Sequence, residues 1–212
     1  MKDLLLNTYP AHFGATGRYT ISSDSKEGSF ALNDEKACRE CRGRNKQQCS
    51  EEDADTHMLV HADHPVMVVD IETFLNQFDG KRAAIKDRCD RMIYDGSKIV
   101  FVDFYCGLQK YLLPYSNTGG DQPGKLAKAR HQITNTVEKI CEVPFINERI
   151  ANYATKEGIF ACRIKKPEPN PALLGEPAMQ TFLNSAPRVK GYTDIAHGFK
   201  FHMLEYPETY EW

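Results

Sequence analysis

Asp90 and Asp103 are the two side chains around which chemistry is most readily written. They stand on either side of Asp95-Gly96, a dipeptide that favours two-residue hairpin turns. If the flanking segments pair, the two carboxylates approach each other across the ladder. Two carboxylates with an open position between them suit a hard cation such as Mg²⁺. An ion held there polarises a phosphoryl oxygen and supplies a hydroxide for phosphodiester cleavage. On spacing alone, the rival reading is that Asp90 begins one strand and Asp103 ends another. A second grouping is Cys38, Cys41 and Cys49. The gap between Cys38 and Cys41 lets two thiolates reach one metal, and His57, His61 or His64 could complete a tetrahedral structural Zn²⁺ site. The rival there is a charged loop with free thiols. Lys36, Arg39, Arg42, Arg44 and Lys46 crowd the same stretch and lower thiol pKa values in either case.

The elements that must position these residues follow from hydrophobic period and turn signals. Residues 18–21 and 29–32 are expected as two short strands around a turn at 24–28. Residues 33–64 are almost wholly polar, and a long excursion from the fold is expected there. Strand character returns at 64–70. Asp70 has the character of an N-cap for a helix that runs through Phe74, Leu75 and Phe78 and stops at Gly80. Residues 89–94 form a short strand. Residues 98–105 form the strongest strand, apolar on both faces and therefore central. A helix is expected over 125–142, its apolar stripe being Leu126, Ala129, Ile133, Val137 and Ile140. Further strands are expected at 158–164 and 199–204, with a short helix near 178–184 between them. This order predicts a single α/β domain, a central mixed sheet flanked by helices, with its core at about 65–165.

The chain has 212 residues, of which 41% are hydrophobic and 26% charged, enough to bury a core and inconsistent with wholesale disorder. The apolar runs are far too short to span a membrane. Met1-Lys2-Asp3 followed by Leu4-Leu5-Leu6 is too short and too soon interrupted for a signal peptide. Seven cysteines, an odd number, then favour a reduced, cytoplasmic setting. Cys141 and Cys162 lie in apolar patterns and are expected as small buried hydrophobes. A net charge of −2 excludes indiscriminate polyanion binding, but it averages basic clusters at 36–46, 81–91 and 125–131 with acidic ones elsewhere.

The run Cys89-Asp90-x-x-Ile93 … Lys98-Ile-Val-Phe-Val-Asp103-Phe-Tyr105 … Lys128-Ala129-x-x-Gln132-Ile133-x-x-Thr136 resembles the PD-(D/E)xK nuclease superfamily over about half the chain. In that superfamily an Asp is followed, one hairpin later, by an acid-x-Lys tripeptide ending an apolar strand, and then by a helix with a Gln on its active-site side. The resemblance implies a restriction-endonuclease-like core, with Asp90 and Asp103 as Mg²⁺ ligands and Gln132 facing the site. Glu72 would be an additional acidic ligand, as in some branches. The setting it implies is bacterial nucleic-acid processing or defence against phage.

One position departs from the pattern. Tyr105 stands where the superfamily has Lys. A phenol, with a pKa of about 10, is no substitute for that cation. Lys98 begins the same strand, but five residues at roughly 3.3 Å each place it about 16 Å away, and its parity turns it to the other face. Lys110 or Lys128 could take the role. Tyr105, Tyr111 and Tyr115, with Lys110, Lys125, Lys128, Arg130 and His131, form a set that could grip a nucleic-acid backbone and stack bases. Three functions follow. The missing Lys favours a degenerate accessory subunit that binds a protein partner or nucleic acid. The two retained acids favour an active Mg²⁺-dependent nuclease. A non-enzymatic protein-interaction module would hold if Asp90 and Asp103 pointed to opposite faces of the sheet.

Overall fold

The apolar run that begins at Lys98 lies inside a large mixed sheet, where both of its faces are covered. The computed structural model of the chain describes residues 1–33, 57–165 and 191–212. A π-helical turn, Leu4–Thr8, runs into the short helix α1, Tyr9–His12. There follow strands β1, Ser23–Leu32, and β2, Met58–Asp70, helix α2, Ile71–Asn76, and strands β3, Arg91–Tyr94, and β4, Lys98–Leu108. A small hairpin of β5, Tyr115–Asn117, and β6, Gly120–Gln122, leads into helices α3, Lys125–Cys141, and α4, Pro144–Ala151. Strands β7, Thr155–Lys165, β8, Thr193–Asp194, β9, Lys200–Glu205, and β10, Thr209–Glu211, complete the order.

Among the described residues, eight strands form one sheet in the order β1-β2-β3-β4-β7-β9-β8, with β10 also on β2. β2, β3 and β4 pair antiparallel, the tight turn at Asp95-Gly96 joining β3 to β4. β4 and β7 pair parallel, so the chain must cross over between them, and α3 and α4 make that crossing. Ile99, Val100, Phe101 and Val102 are all fully buried. Ile99 and Phe101 face a cluster shared with Ala129, Ile133, Val137 and Ile140 of α3. Val100, Val102 and Phe104 face a second cluster on the other side, with Val60, Val68 and Ile159.

The expected α/β class is what the chain adopts, and several local expectations hold with it. Asp70 caps α2, its carboxylate accepting from the Thr73 N–H at 2.9 Å. Cys141 and Cys162 are buried, and burial pushes both thiols up to about 12. Other expectations need correcting. Residues 18–21 are not a strand, and the turn expected at 24–28 lies inside one continuous strand, β1, where a register shift between Lys26 and Gly28 forms a bulge. Asp, Ser and Gly are turn formers, but pairing of β1 along almost the whole of β2 overrides that local preference. Of the excursion expected over 33–64, residues 34–56 lie outside the described residues, and residues 58–64 already belong to β2. The sheet also extends past 65–165 on both sides, through β1 and through β8 to β10. The helix expected near 178–184 lies outside the described residues.

Candidate functional site

The hairpin brings the two acids together. Its register pairs Arg91 with Val102 and Met92 with Phe101, and one step further along sets Asp90 against Asp103. Cross-strand partners share a face, and here it is the face of Met92, Phe101 and α3. The Asp90 N–H donates to the Val102 carbonyl at 3.0 Å. Asp90 Oδ2 accepts the backbone N–H of Phe104 at 2.7 Å. The carboxylate is thereby held beside Asp103 by the backbone that follows Asp103. Asp103 is 7% exposed and lies opposite Phe160 of β7.

Glu72, Asp90, Asp103, Lys125, Lys128 and Gln132 line one cleft of about 190 Å³, with Tyr105 and Phe160 also on its wall. Glu72 comes from the first turn of α2, and its N–H meets the Asp90 carbonyl at 3.3 Å. Lys125, Lys128 and Gln132 are spaced three and four apart, so they form one stripe along α3, flanking the buried stripe of Ala129, Ile133 and Val137. Gly124, at φ 81°, seats the start of α3. A Cβ there would come within 2.4 Å of the Leu113 carbonyl carbon, so only glycine allows this approach.

Gln132 also holds the approach to the site, since its amide donates to the Arg88 carbonyl at 2.8 Å. One turn on, the Thr136 hydroxyl accepts the Cys89 N–H at 3.0 Å and donates to the Gln132 carbonyl at 2.8 Å. Helix α3 thus grips the backbone just before Asp90. Of these supports the Phe104 N–H carries no signal in residue spacing, whereas Thr136 stands one helical turn after Gln132 in the motif.

Tyr105 shares the face of Asp103 but folds back. Its hydroxyl donates to the Leu108 carbonyl at 3.0 Å, and the ring stacks on Phe160 with centroids 6.0 Å apart. Gly107 makes room for this, because a Cβ there would lie 2.4 Å from the Tyr105 hydroxyl. Burial, followed by the neighbouring Cys106, Tyr111 and Tyr115, raises the phenol pKa, so the group stays neutral. The cations come from the helix instead. The Lys125 ammonium lies 5.8 Å from the Tyr105 ring centroid. Lys98 points to the opposite face, its ammonium over the rings of Tyr210 and Trp212.

The remaining residues singled out in the sequence are scattered. Arg130 lines a separate, mostly apolar groove of about 280 Å³ with Leu112, Leu126 and Phe201, not the carboxylate cleft. His131 is exposed and meets Asn135 at 3.0 Å and Asp87 at 3.9 Å. Both sit where the helical period carries them once Ala129 and Ile133 face the core. Lys110, on the turn Gln109–Tyr111, lies 4.9 Å from the Tyr111 ring centroid. Cys38, Cys41 and Cys49 lie outside the described residues. His57 is 1% exposed with its ring against Phe104 at 5.6 Å, and His64 meets Asp95 at 2.8 Å. Among the described residues no group of three or more His, Cys, Asp or Glu side chains could hold a metal ion. Asp90 and Asp103 both line the cleft, and carboxylate oxygen is the donor type that hard cations such as Mg²⁺ take. No helix among the described residues is long and apolar enough to cross a membrane. No protein-family profile, curated protein or solved structure matches the chain.

Proposed function

We propose that the chain is a Mg²⁺-dependent nuclease of the PD-(D/E)xK type, with Asp90 and Asp103 as metal ligands and Lys125 and Lys128 in place of the motif Lys. The observation that carries this reading is that both lysines line the same cleft as both acids. Mg²⁺ bound between Asp90 and Asp103 would supply Lewis-acid polarisation of a phosphoryl oxygen and a more acidic water. The chain's own groups do the rest. Lys125 and Lys128 attract the phosphodiester and offset the charge that builds on it as a water oxygen bonds to phosphorus and one P–O ester bond breaks. The Phe104 N–H and the Gln132–Thr136 pair fix the aim of Asp90. Glu72 faces the cleft as a further acidic group.

One observation favours the second reading, a degenerate accessory subunit that binds a protein partner or nucleic acid. Tyr105 occupies the motif position with its hydroxyl committed to Leu108. Either reading suits bacterial nucleic-acid processing or phage defence. The shared face of Asp90 and Asp103 supports these two readings over a non-enzymatic protein-interaction module. Structural zinc at Cys38, Cys41 and Cys49 stays a proposal, and metal analysis of the purified protein decides it.

Purified protein incubated with single- and double-stranded DNA and RNA and Mg²⁺ or Mn²⁺, beside Asp103→Ala, tests the nuclease. Cleavage by the wild type alone is expected. Cleavage by both, or by neither, overturns the nuclease reading.

A further inference from the structure

Tyr105 and Lys125 line the carboxylate cleft, and Tyr111 and Tyr115 are near enough to Tyr105 to act on its phenol electrostatically. Tyr111 and Tyr115 meet edge to face with centroids 4.8 Å apart. Lys110 sits 4.9 Å from the Tyr111 ring, and Lys125 sits 5.8 Å from the Tyr105 ring. Tyr111 and Tyr115 are half-buried, so each keeps part of its ring in solvent.

Backbone hydrogen bonds connect this group to helix α3, which lines the cleft. β5 and β6 close on each other through Tyr115 opposite Gln122, with Ser116 donating to Asp121 at 2.6 Å. The Leu126 N–H of α3 then bonds the Leu112 carbonyl at 3.1 Å, one residue from Tyr111. The segment that carries the tyrosines is therefore fixed to the helix turn that carries Lys125 and Lys128.

We propose that Tyr111 and Tyr115, with Lys110 and Lys125, form a platform that makes single-stranded nucleic acid the substrate of the neighbouring carboxylate cleft. This inference rests on the nuclease reading. Its chemistry is that of the nucleotide. A base stacks on a ring face while its phosphate, one sugar away, meets an ammonium; here Lys110 lies by the Tyr111 ring and Lys125 by the Tyr105 ring, with Tyr115 edge to face on Tyr111. Duplexes hide their base faces, so a ring platform discriminates in favour of unpaired strands. Stacking is tolerant of sequence, so the preference concerns strandedness rather than base identity.

The test is fluorescence anisotropy of labelled single-stranded DNA and RNA and of the matching duplexes, in EDTA so that nothing is cleaved. The proteins compared are wild type, Tyr111→Ala, Tyr115→Ala, Tyr111→Phe and Lys128→Ala. The expected result is wild-type preference for single strands, a loss of about tenfold or more in that affinity for each Tyr→Ala variant, and near wild-type binding by Tyr111→Phe. Equal or tighter duplex binding overturns the proposal. So does unchanged single-strand binding in both Tyr→Ala variants, and if Lys128→Ala still weakens binding, the nuclease reading survives that failure. No binding of any nucleic acid by the wild type overturns both.

Discussion

The backbone N–H of Phe104 donates to Asp90 Oδ2 at 2.7 Å, so the residue after one acid fixes the carboxylate of the other. The two carboxyl groups are thus held in place by the ladder itself, one of them nearly out of solvent. Like charges on adjacent strands oppose folding unless a cation lies between them. The expected consequence is that Asp103→Asn leaves the melting temperature unchanged or raises it, while metal-dependent cleavage falls by 100-fold or more, on the order of 3 kcal/mol in the barrier. Thermal unfolding without metal and a cleavage assay with it check the two halves. A large drop in melting temperature would show Asp103 to be a structural residue.

Lys125 lies with its ammonium 5.8 Å from the ring of Tyr105, the residue at the motif Lys position. Lys125→Met keeps the stem and removes the charge. A drop of about 10- to 100-fold in turnover is expected, the range of a single electrostatic contact to a developing anion. Tyr105→Phe loses only the hydroxyl bond to Leu108 and costs about 1 kcal/mol of stability, with little effect on turnover. The reverse order of effects would move the chemistry from the helix to the strand.

Thr136 is fully buried and is the acceptor for the Cys89 N–H. Thr136→Val keeps the shape and strands that buried donor. A loss of about 2 kcal/mol is expected, read as a lower urea midpoint with unchanged slope. Thr136→Ser restores the acceptor and should recover most of the loss.

Asp95 gives the fold a defined acid sensitivity. Burial pushes its carboxyl up, but hydrogen bonds from Trp212, His64, Ser97 and Lys98 outweigh this and hold it well below the ordinary carboxylate range. A depressed folded pKa contributes stability above the unfolded value of about 3.9, and that contribution is lost as pH falls through the folded value. Asp95→Ala should therefore cost about 2 kcal/mol at pH 7, and the gap from wild type should close progressively below about pH 4. Urea unfolding at pH 7, 5 and 3 measures it. A gap independent of pH would assign the effect to packing alone.

Much of the site was legible in the residues. Asp95-Gly96 dictates a tight turn, and with the period of two in strands it puts Asp90 and Asp103 on one face. The same parity sends Lys98 away from them, as observed. The stripe of Ala129, Ile133 and Val137 dictates which side of α3 is buried, because burial of apolar surface drives helix packing. Which flank of that stripe meets the acids was decided only by tertiary structure. Lys125, Lys128 and Gln132 turn into the cleft while Arg130 turns into another groove, because the placement of α3 across β4 and β7 is a property of the whole sheet. The fate of 24–28 was settled in the same way. Its residues favour a turn locally, but a long partner strand offers more backbone hydrogen bonds than a turn can make. Local sequence sets period, turns and caps, since these depend on neighbours a few residues apart. Convergence of side chains from α2, β3, β4 and α3 depends on packing among distant segments, and only the folded chain contains it.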